Sequence, residues 1–271
     1  MRVQRAALLL LMPLLVACGS HPSVAPPGDD TTTVPVIGHP TAAGDVVLRI
    51  EESGGFTSVE SSFSRPAGFV LTGDGTAYVA AWDDPTSGIV TPMRRFTADE
   101  ADVQRILARA KEDGVLAEAS DYTPPEVVAD AGETTVTVSA DGHTWQHRAD
   151  ALGGLTSDTA ARTRLADFVH FVSAWAREIR SPPAQRYQPD ALRVFALPLP
   201  FEPGQGIDVG SWPSGSSVRL STIGRCSVVR DRAVIRLLEG STTGHYRDEG
   251  TTYVVAAADL LPGDSCSSSH S

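Results

Sequence analysis

Apolar and polar positions change period several times along this chain, and each change marks an element. Val46-Val47-Leu48-Arg49-Ile50 has the β-branched density of a strand and runs toward a Gly54-Gly55 turn. Residues 69–79 place Asp74-Gly75 between alternating apolar positions, the strongest short-range signal for a hairpin. A further strand is expected near residues 88–95. Thr97-Ala98-Asp99-Glu100 then reads as a capping box, with Thr97 as the cap and Glu100 three residues on. Val103, Ile106, Leu107 and Ala110 follow at helical spacing, and Gly114 stops the helix.

The same order recurs. Residues 134–140 and 143–148 flank Asp141-Gly142 as a second hairpin, and a second helix is expected over residues 158–179. Its buried stripe is Leu165, Phe168, Val169, Val172, Trp175, Ala176 and Ile179, and Pro182-Pro183 ends it. Leu71-Thr72-Gly73-Asp74-Gly75-Thr76-Ala77-Tyr78 matches Val138-Ser139-Ala140-Asp141-Gly142-His143-Thr144-Trp145 in residue type, position by position. The pattern predicts a tandem hairpin-helix repeat. Past the proline-rich residues 181–189, strands are expected at 192–197, 218–222 and 252–257, with a short helix over 231–239. Grouped strands with segregated helices predict an α+β fold, with antiparallel sheets and helices packed on one face. Residues 45–181 and 182–271 are expected to pack together as a single domain.

The N-terminus follows a different logic. Arg2 and Arg5 precede an apolar run, residues 6–17, which is too short to span a bilayer as a helix. The run closes on Leu15-Val16-Ala17-Cys18-Gly19. This stretch resembles the lipobox of bacterial lipoproteins. The resemblance implies that residues 1–17 are a signal peptide and that Cys18 becomes the acylated first residue. It further implies attachment to the extracytoplasmic face of the cell membrane. Residues 18–44 are rich in Pro, Ser, Thr and Gly without hydrophobic period, and are expected to form a disordered tether. The layout is similar to that of actinobacterial lipoproteins, a group that implies no catalytic residues.

An exported chain meets a compartment in which disulfides persist. With Cys18 assigned to lipid, Cys226 and Cys266 are left and are expected to pair. The formal charge of −11 becomes −13 once a leader carrying Arg2 and Arg5 is removed. Such a chain should not bind nucleic acid through its general field. The partners expected are the membrane, through the lipid, and an envelope protein or cell-wall component.

Motifs that carry a known mechanism are missing. The sequence has no Gly-x-Ser-x-Gly elbow, P-loop, dinucleotide fingerprint, His-Glu-x-x-His or calcium loop, so no cofactor is expected. Three segments come nearest to a site. His143 and His147 share one face of a strand on either side of Trp145, the arrangement of a metal pair. A two-residue turn, however, sets both histidines beside valines, which favours core packing. His245 and Tyr246 sit in a charged stretch, residues 244–250, read as a solvated turn able to supply a base or a recognition loop. Trp212 lies in a Pro/Gly loop, where it either docks a ligand or plugs the end of a sheet. The expectation is a non-catalytic binding or scaffolding module. The alternative is an extracytoplasmic hydrolase whose acid and base come from distant segments.

Overall fold

A computed structural model of the chain describes residues 36–84, 88–155, 157–178 and 184–266. The expected leader, Cys18, the expected tether as far as residue 35, Ile179 and Pro182-Pro183 lie outside the described residues. The first part of the fold runs β1 (Val46–Gly54), α1 (Val59–Ser64), β2 (Phe69–Thr72), β3 (Thr76–Ala80) and β4 (Met93–Thr97). Next come α2 (Glu100–Glu112), β5 (Gly132–Ala140), β6 (His143–Asp150), α3 (Ala160–Glu178) and β7 (Gln185–Arg186). The remainder is β8 (Leu192–Pro198), β9 (Gly210–Ser211), α4 (Leu220–Ile223) and β10 (Ser227–Val229). It closes with α5 (Arg232–Glu239), β11 (His245–Asp248) and β12 (Thr251–Asp259).

The fold is α+β. A seven-stranded antiparallel sheet has the order β6-β5-β1-β2-β3-β4-β7, and a five-stranded sheet has the order β10-β8-β12-β11-β9. In the smaller sheet only the short β9–β11 pairing is parallel among those described. Helices α2 and α3 cover one face of the larger sheet. Val103, Ile106 and Leu107 from α2, with Leu165, Phe168 and Trp175 from α3, pack on Leu48, Ile50, Leu71, Val136 and Val138. The periodicity predicted this face. The opposite face at β2–β4 carries Val70, Tyr78, Ala80 and Met93 and receives Leu261, which follows β12. On the smaller sheet, α4 and α5 bury Leu220, Ile223, Val234, Ile235 and Leu238 against Leu192, Val194 and Val255. Phe63 of α1 packs on the other side, 5.7 Å from the Phe195 ring.

Several expectations are corrected in detail. Asp99, not Thr97, caps α2, because Thr97 is the last residue of β4, paired with Thr76, while the Asp99 carboxylate accepts the Asp102 N–H at 2.9 Å. Residues 218–222, expected as a strand, lead into α4, which begins at Leu220. Arg219 stands at its N-cap, and the Leu220 N–H donates to Asp248 at 2.9 Å. Within 244–250, expected as a solvated turn, residues 245–248 form strand β11 and only Glu249-Gly250 is an exposed turn: β11 pairs with β12 across it, and its positive φ angles of 49° and 84° fit a two-residue turn.

The two Asp-Gly hairpins also differ. Asp141 and Gly142 have φ of 48° and 74°, and Val138 pairs with Trp145. In the first hairpin Leu71 pairs with Ala77, one residue short of the matching position. A one-residue difference in register reverses the side-chain faces. Tyr78 therefore joins the Met93 side of the sheet, whereas Trp145 leans on the helix-covered core. Similar sequence is thus set in two different registers.

Within residues 36–44, expected as the last part of the tether, 37–40 are held against the fold, whereas 41–44 are exposed. Ile37 is buried, and its N–H and C=O are bracketed by the Gln104 side-chain amide at 2.9 and 2.8 Å. The Gly38 N–H donates to Asp141 Oδ1 at 2.8 Å, and the Asp141 N–H returns a bond to the Gly38 carbonyl at 2.7 Å. His39 Nε2 lies 3.1 Å from the Glu100 carboxylate. At Gly73 a Cβ would stand 2.6 Å from the Pro40 carbonyl oxygen, so glycine allows the close approach. One buried isoleucine and a run of backbone bonds suffice to order a segment whose composition reads as linker.

Candidate functional site: a groove beside strand β6

The β5–β6 hairpin is amphipathic. Val136, Val138, Ala140, His147 and Ala149 turn toward α3, while Thr144, Gln146, Arg148 and Asp150 are exposed. Past α2, Gly114 takes φ of +79° and turns the chain into a long loop, residues 115–131, that crosses beside β6. Buried Val115 holds the start of this loop. Its middle is held by Tyr122, whose hydroxyl lies 2.8 Å from His147 Nδ1 and whose carbonyl accepts from Arg162 NH1 at 2.7 Å. Arg162 has no exposed surface. It donates from Nε to Asp158 and from NH2 to the Ala151 carbonyl at 3.1 Å, just after β6 ends. One guanidinium thus ties the loop to the strand.

Between them runs a groove of about 440 Å³, lined by Tyr122 and Thr123 from the loop and by Gln146, Arg148 and Asp150 from β6. The loop contacts are on the helix-covered side of the sheet and the β6 side chains are on the other. A groove touching both must pass around the outer edge of β6. A second hollow, about 430 Å³, continues it past Glu126, Val127 and Asp130 and shares Thr123, Pro124 and Asp150 with it. Five carboxylates (Asp121, Glu126, Asp130, Glu133 and Asp150) line these two hollows against one cation, Arg148. The Arg148 guanidinium folds onto Gln146 Oε1, at 2.9 Å from NH2. Asp121 accepts the Thr123 N–H at 2.9 Å, which holds its carboxyl below the usual range and keeps it charged.

A third groove, about 850 Å³, lies on the outer face near His39, Arg49, Ser139 and Gly263. Its half-buried Arg49 is already engaged. Arg49 donates to Glu51 at 2.8 Å, to Asp264, and to the Pro262 carbonyl at 3.1 Å.

The sequence-predicted residues fall elsewhere. His147 is fully buried, and its Nε2 lies 2.9 Å from the Val115 carbonyl. A carbonyl can only accept, so Nε2 carries the proton and Nδ1 accepts from Tyr122. Burial lowers the pKa of this ring, opposed by the Val115 bond, and it stays neutral. His143 is exposed at the hairpin tip, stacked on Trp145 at 5.6 Å. Four residues of strand put their Cα atoms roughly 13 Å apart, and the rings are turned to different neighbours, His143 to Trp145 and His147 to Tyr122 and Val115. They are not a metal pair. Trp212 and Tyr246 are buried against each other, ring centroids 5.7 Å apart, and the Trp212 indole N–H donates to the Val218 carbonyl at 2.8 Å. Both are core residues of the smaller sheet and present no surface to a ligand. His245 is half-buried in β11, and its N–H donates to Thr243 Oγ1 at 3.2 Å. Cys226 and Cys266 form the expected disulfide.

One further buried acid stands out. Asp259 ends β12 with only 2% of its surface exposed, and its Oδ1 has no hydrogen-bond partner. Burial pushes its pKa up to about 7, Glu239 and Asp264 add to the rise, and Arg186 opposes it. The folded state therefore holds this proton over a range in which the unfolded chain, titrating near 3.8, has released it. Stability from this group is full below about pH 4 and is lost progressively as the pH climbs toward 7. Asp259→Asn should remove that dependence. In urea titrations at pH 5 and pH 8, the stability gap between the two proteins should change by ~2–3 kcal/mol in favour of the variant at pH 8. A gap that does not move with pH would put the charge on Asp259 at both values.

Comparison of the chain with protein-family models, with curated protein sequences and with solved structures gives no match. Among the described residues, no helix is long and apolar enough to cross a membrane.

Proposed function

We propose that this chain is a lipid-anchored binding module of the cell envelope, held on the extracytoplasmic face by acyl groups on Cys18. The observation that carries the binding role is the acidic groove along the outer edge of β6, whose two walls are locked together by buried Arg162. Its lining consists of exposed polar side chains with the strand's own backbone at its edge, a surface suited to recognition. The location is supported by the apolar leader that ends on Cys18 and by the Cys226–Cys266 disulfide, a bond at home outside the cytoplasm. Several acyl groups on one residue give stable anchoring where a single chain would be marginal. The residues between Cys18 and Val36 then serve as the tether.

Cys18→Ser tests the anchor. The wild-type chain should fractionate with membranes and yield an acylated N-terminal peptide starting at Cys18 by mass spectrometry. The variant should lose the acyl mass and leave the membrane fraction when its leader is cut. An unmodified mature N-terminus in the wild type would refute anchoring.

A further inference from the structure

Strand β6 is the outermost strand of the seven-stranded sheet. In its hairpin, Ala140 and His143 flank a two-residue turn and form a hydrogen-bonded pair. From that pair the ladder alternates: His143, Trp145, His147 and Ala149 direct N–H and C=O groups at β5. The Ala151 N–H, bonded to the Gly132 carbonyl at 2.8 Å, continues the same phase. Thr144, Gln146 and Arg148 must therefore direct theirs outward. Among the described residues, no backbone group pairs with them, and all three are exposed. A row of unpaired backbone donors and acceptors is a template for one more strand.

Two features select the occupant. The loop wall at Asp121–Pro124 rises beside the edge, which suits a single extended segment better than the broad rim of a second sheet. The charge around the edge is acidic, with five carboxylates against an Arg148 that is already turned onto Gln146. Val127, 98% exposed, adds an apolar contact at the far end. We infer that β6 takes up an extended, lysine- or arginine-bearing segment of a partner protein as an eighth strand, which rests on the binding-module reading and gives it a partner chemistry. Backbone bonds to Thr144, Gln146 and Arg148 supply the affinity. Cations on alternate residues share one face, where Asp150 and Glu133 lie side by side, and supply the selectivity.

The test uses the full chain in detergent micelles and a capped nonapeptide alternating Lys with Val and Thr. A second peptide carries N-methyl groups on two adjacent central amides, one for each edge, and a third has Glu in place of Lys. Binding is read by fluorescence anisotropy, and the site by amide hydrogen exchange. The Lys peptide should slow exchange at Thr144, Gln146 and Arg148. Methylation should weaken binding at least tenfold, Gln146→Pro should do the same, and the Glu peptide should not bind. The methylated peptide guards against a Pro variant that merely fails to fold.

Equal affinity for the methylated peptide would reduce the effect to charge alone and overturn strand addition. So would protection confined to other strands, or no binding at millimolar peptide. Slow exchange at these amides in the free chain, with a concentration-dependent doubling of mass, would give the edge to a second copy and overturn the partner segment. A chain that is acylated in cells but ignores the peptide overturns this inference and leaves the envelope reading intact; an unacylated chain that binds the peptide does the reverse.

Discussion

Replacing Arg162 with methionine should destabilise the protein by ~3–5 kcal/mol, the range for breaking a buried ion pair by removing one partner. The side chain has no exposed surface and satisfies three groups at once: the Asp158 carboxylate, the Tyr122 carbonyl and the Ala151 carbonyl. Methionine fills much of the volume but removes the guanidinium from all three: Asp158 keeps only the Thr159 N–H, the Ala151 carbonyl only the Gly154 N–H, and the Tyr122 carbonyl no donor among the described residues. An abandoned buried acceptor costs more than a normal hydrogen bond contributes. The loss should appear as a lower urea midpoint with little change in slope. Because Arg162 also fixes the loop at Tyr122, amide exchange over residues 115–124 should accelerate at urea concentrations where the sheet still resists. A variant with wild-type midpoint and loop protection would show that water replaces the guanidinium without penalty. Arg162→Lys should recover only part of the loss, since one ammonium cannot reach three acceptors in the guanidinium's geometry.

Reduction of the disulfide is the second large effect. Cys226 immediately precedes β10, at the edge of the smaller sheet, and Cys266 lies two residues beyond Asp264. The bond spans a sequence separation of 40 residues containing α5, β11 and β12. Closing a loop of that length stabilises a fold by about 4 kcal/mol on chain-entropy arguments. The same C-terminal stretch supplies Leu261 to the larger sheet, and Asp264 pairs with Arg49 of β1 and, at 3.5 Å, with Arg193 of β8. The bridge thus fixes the residues that join the two sheets. Urea titration with and without dithiothreitol should show a loss of ~3–4 kcal/mol on reduction, matched by a Cys226→Ser, Cys266→Ser double variant that no longer responds to reductant. An unchanged midpoint after verified reduction would mean that the native contacts alone hold this stretch.

The β5–β6 register was legible from the sequence because Asp141-Gly142 leaves only one two-residue turn, and that turn dictates every pair from Ala140–His143 to Glu133–Asp150. The helical stripes of α2 and α3 were legible for the same reason: local periodicity is strong. Strand β11 was hidden because two of its four residues are charged, and a buried Asp248 looks like a turn residue until its partners Leu220 N–H and Arg219 are known. Arg162 was hidden likewise. It lies on the apolar side of α3, and nothing local announces that Tyr122 and Ala151 will meet it.

The groove was partly readable. The alternation of Thr144, Gln146, Arg148 and Asp150 announces one polar face. That β6 is an edge depends on β1 entering between β5 and β2, with pairs from Leu48–Val138 to Gly54–Gly132 that lie far apart in sequence and carry no local sign. For the histidines, the reading that both pack on the apolar side holds for His147, which is buried, and fails for His143, which the hairpin tip leaves exposed.

The clasped residues 36–45 have a mechanical consequence. They lead directly into β1, which is flanked on both sides by hydrogen-bonded neighbours in the larger sheet. Any pull applied on the N-terminal side of Val36 meets the Gln104 bracket and the Gly38–Asp141 exchange first. Only after these give way does load reach β1, and there it must drag the strand past β5 and β2 together instead of peeling an outer strand from the rim. The second of those holds sits on the turn that joins β5 to β6, so the hairpin that carries the groove feels the pull before β1 does.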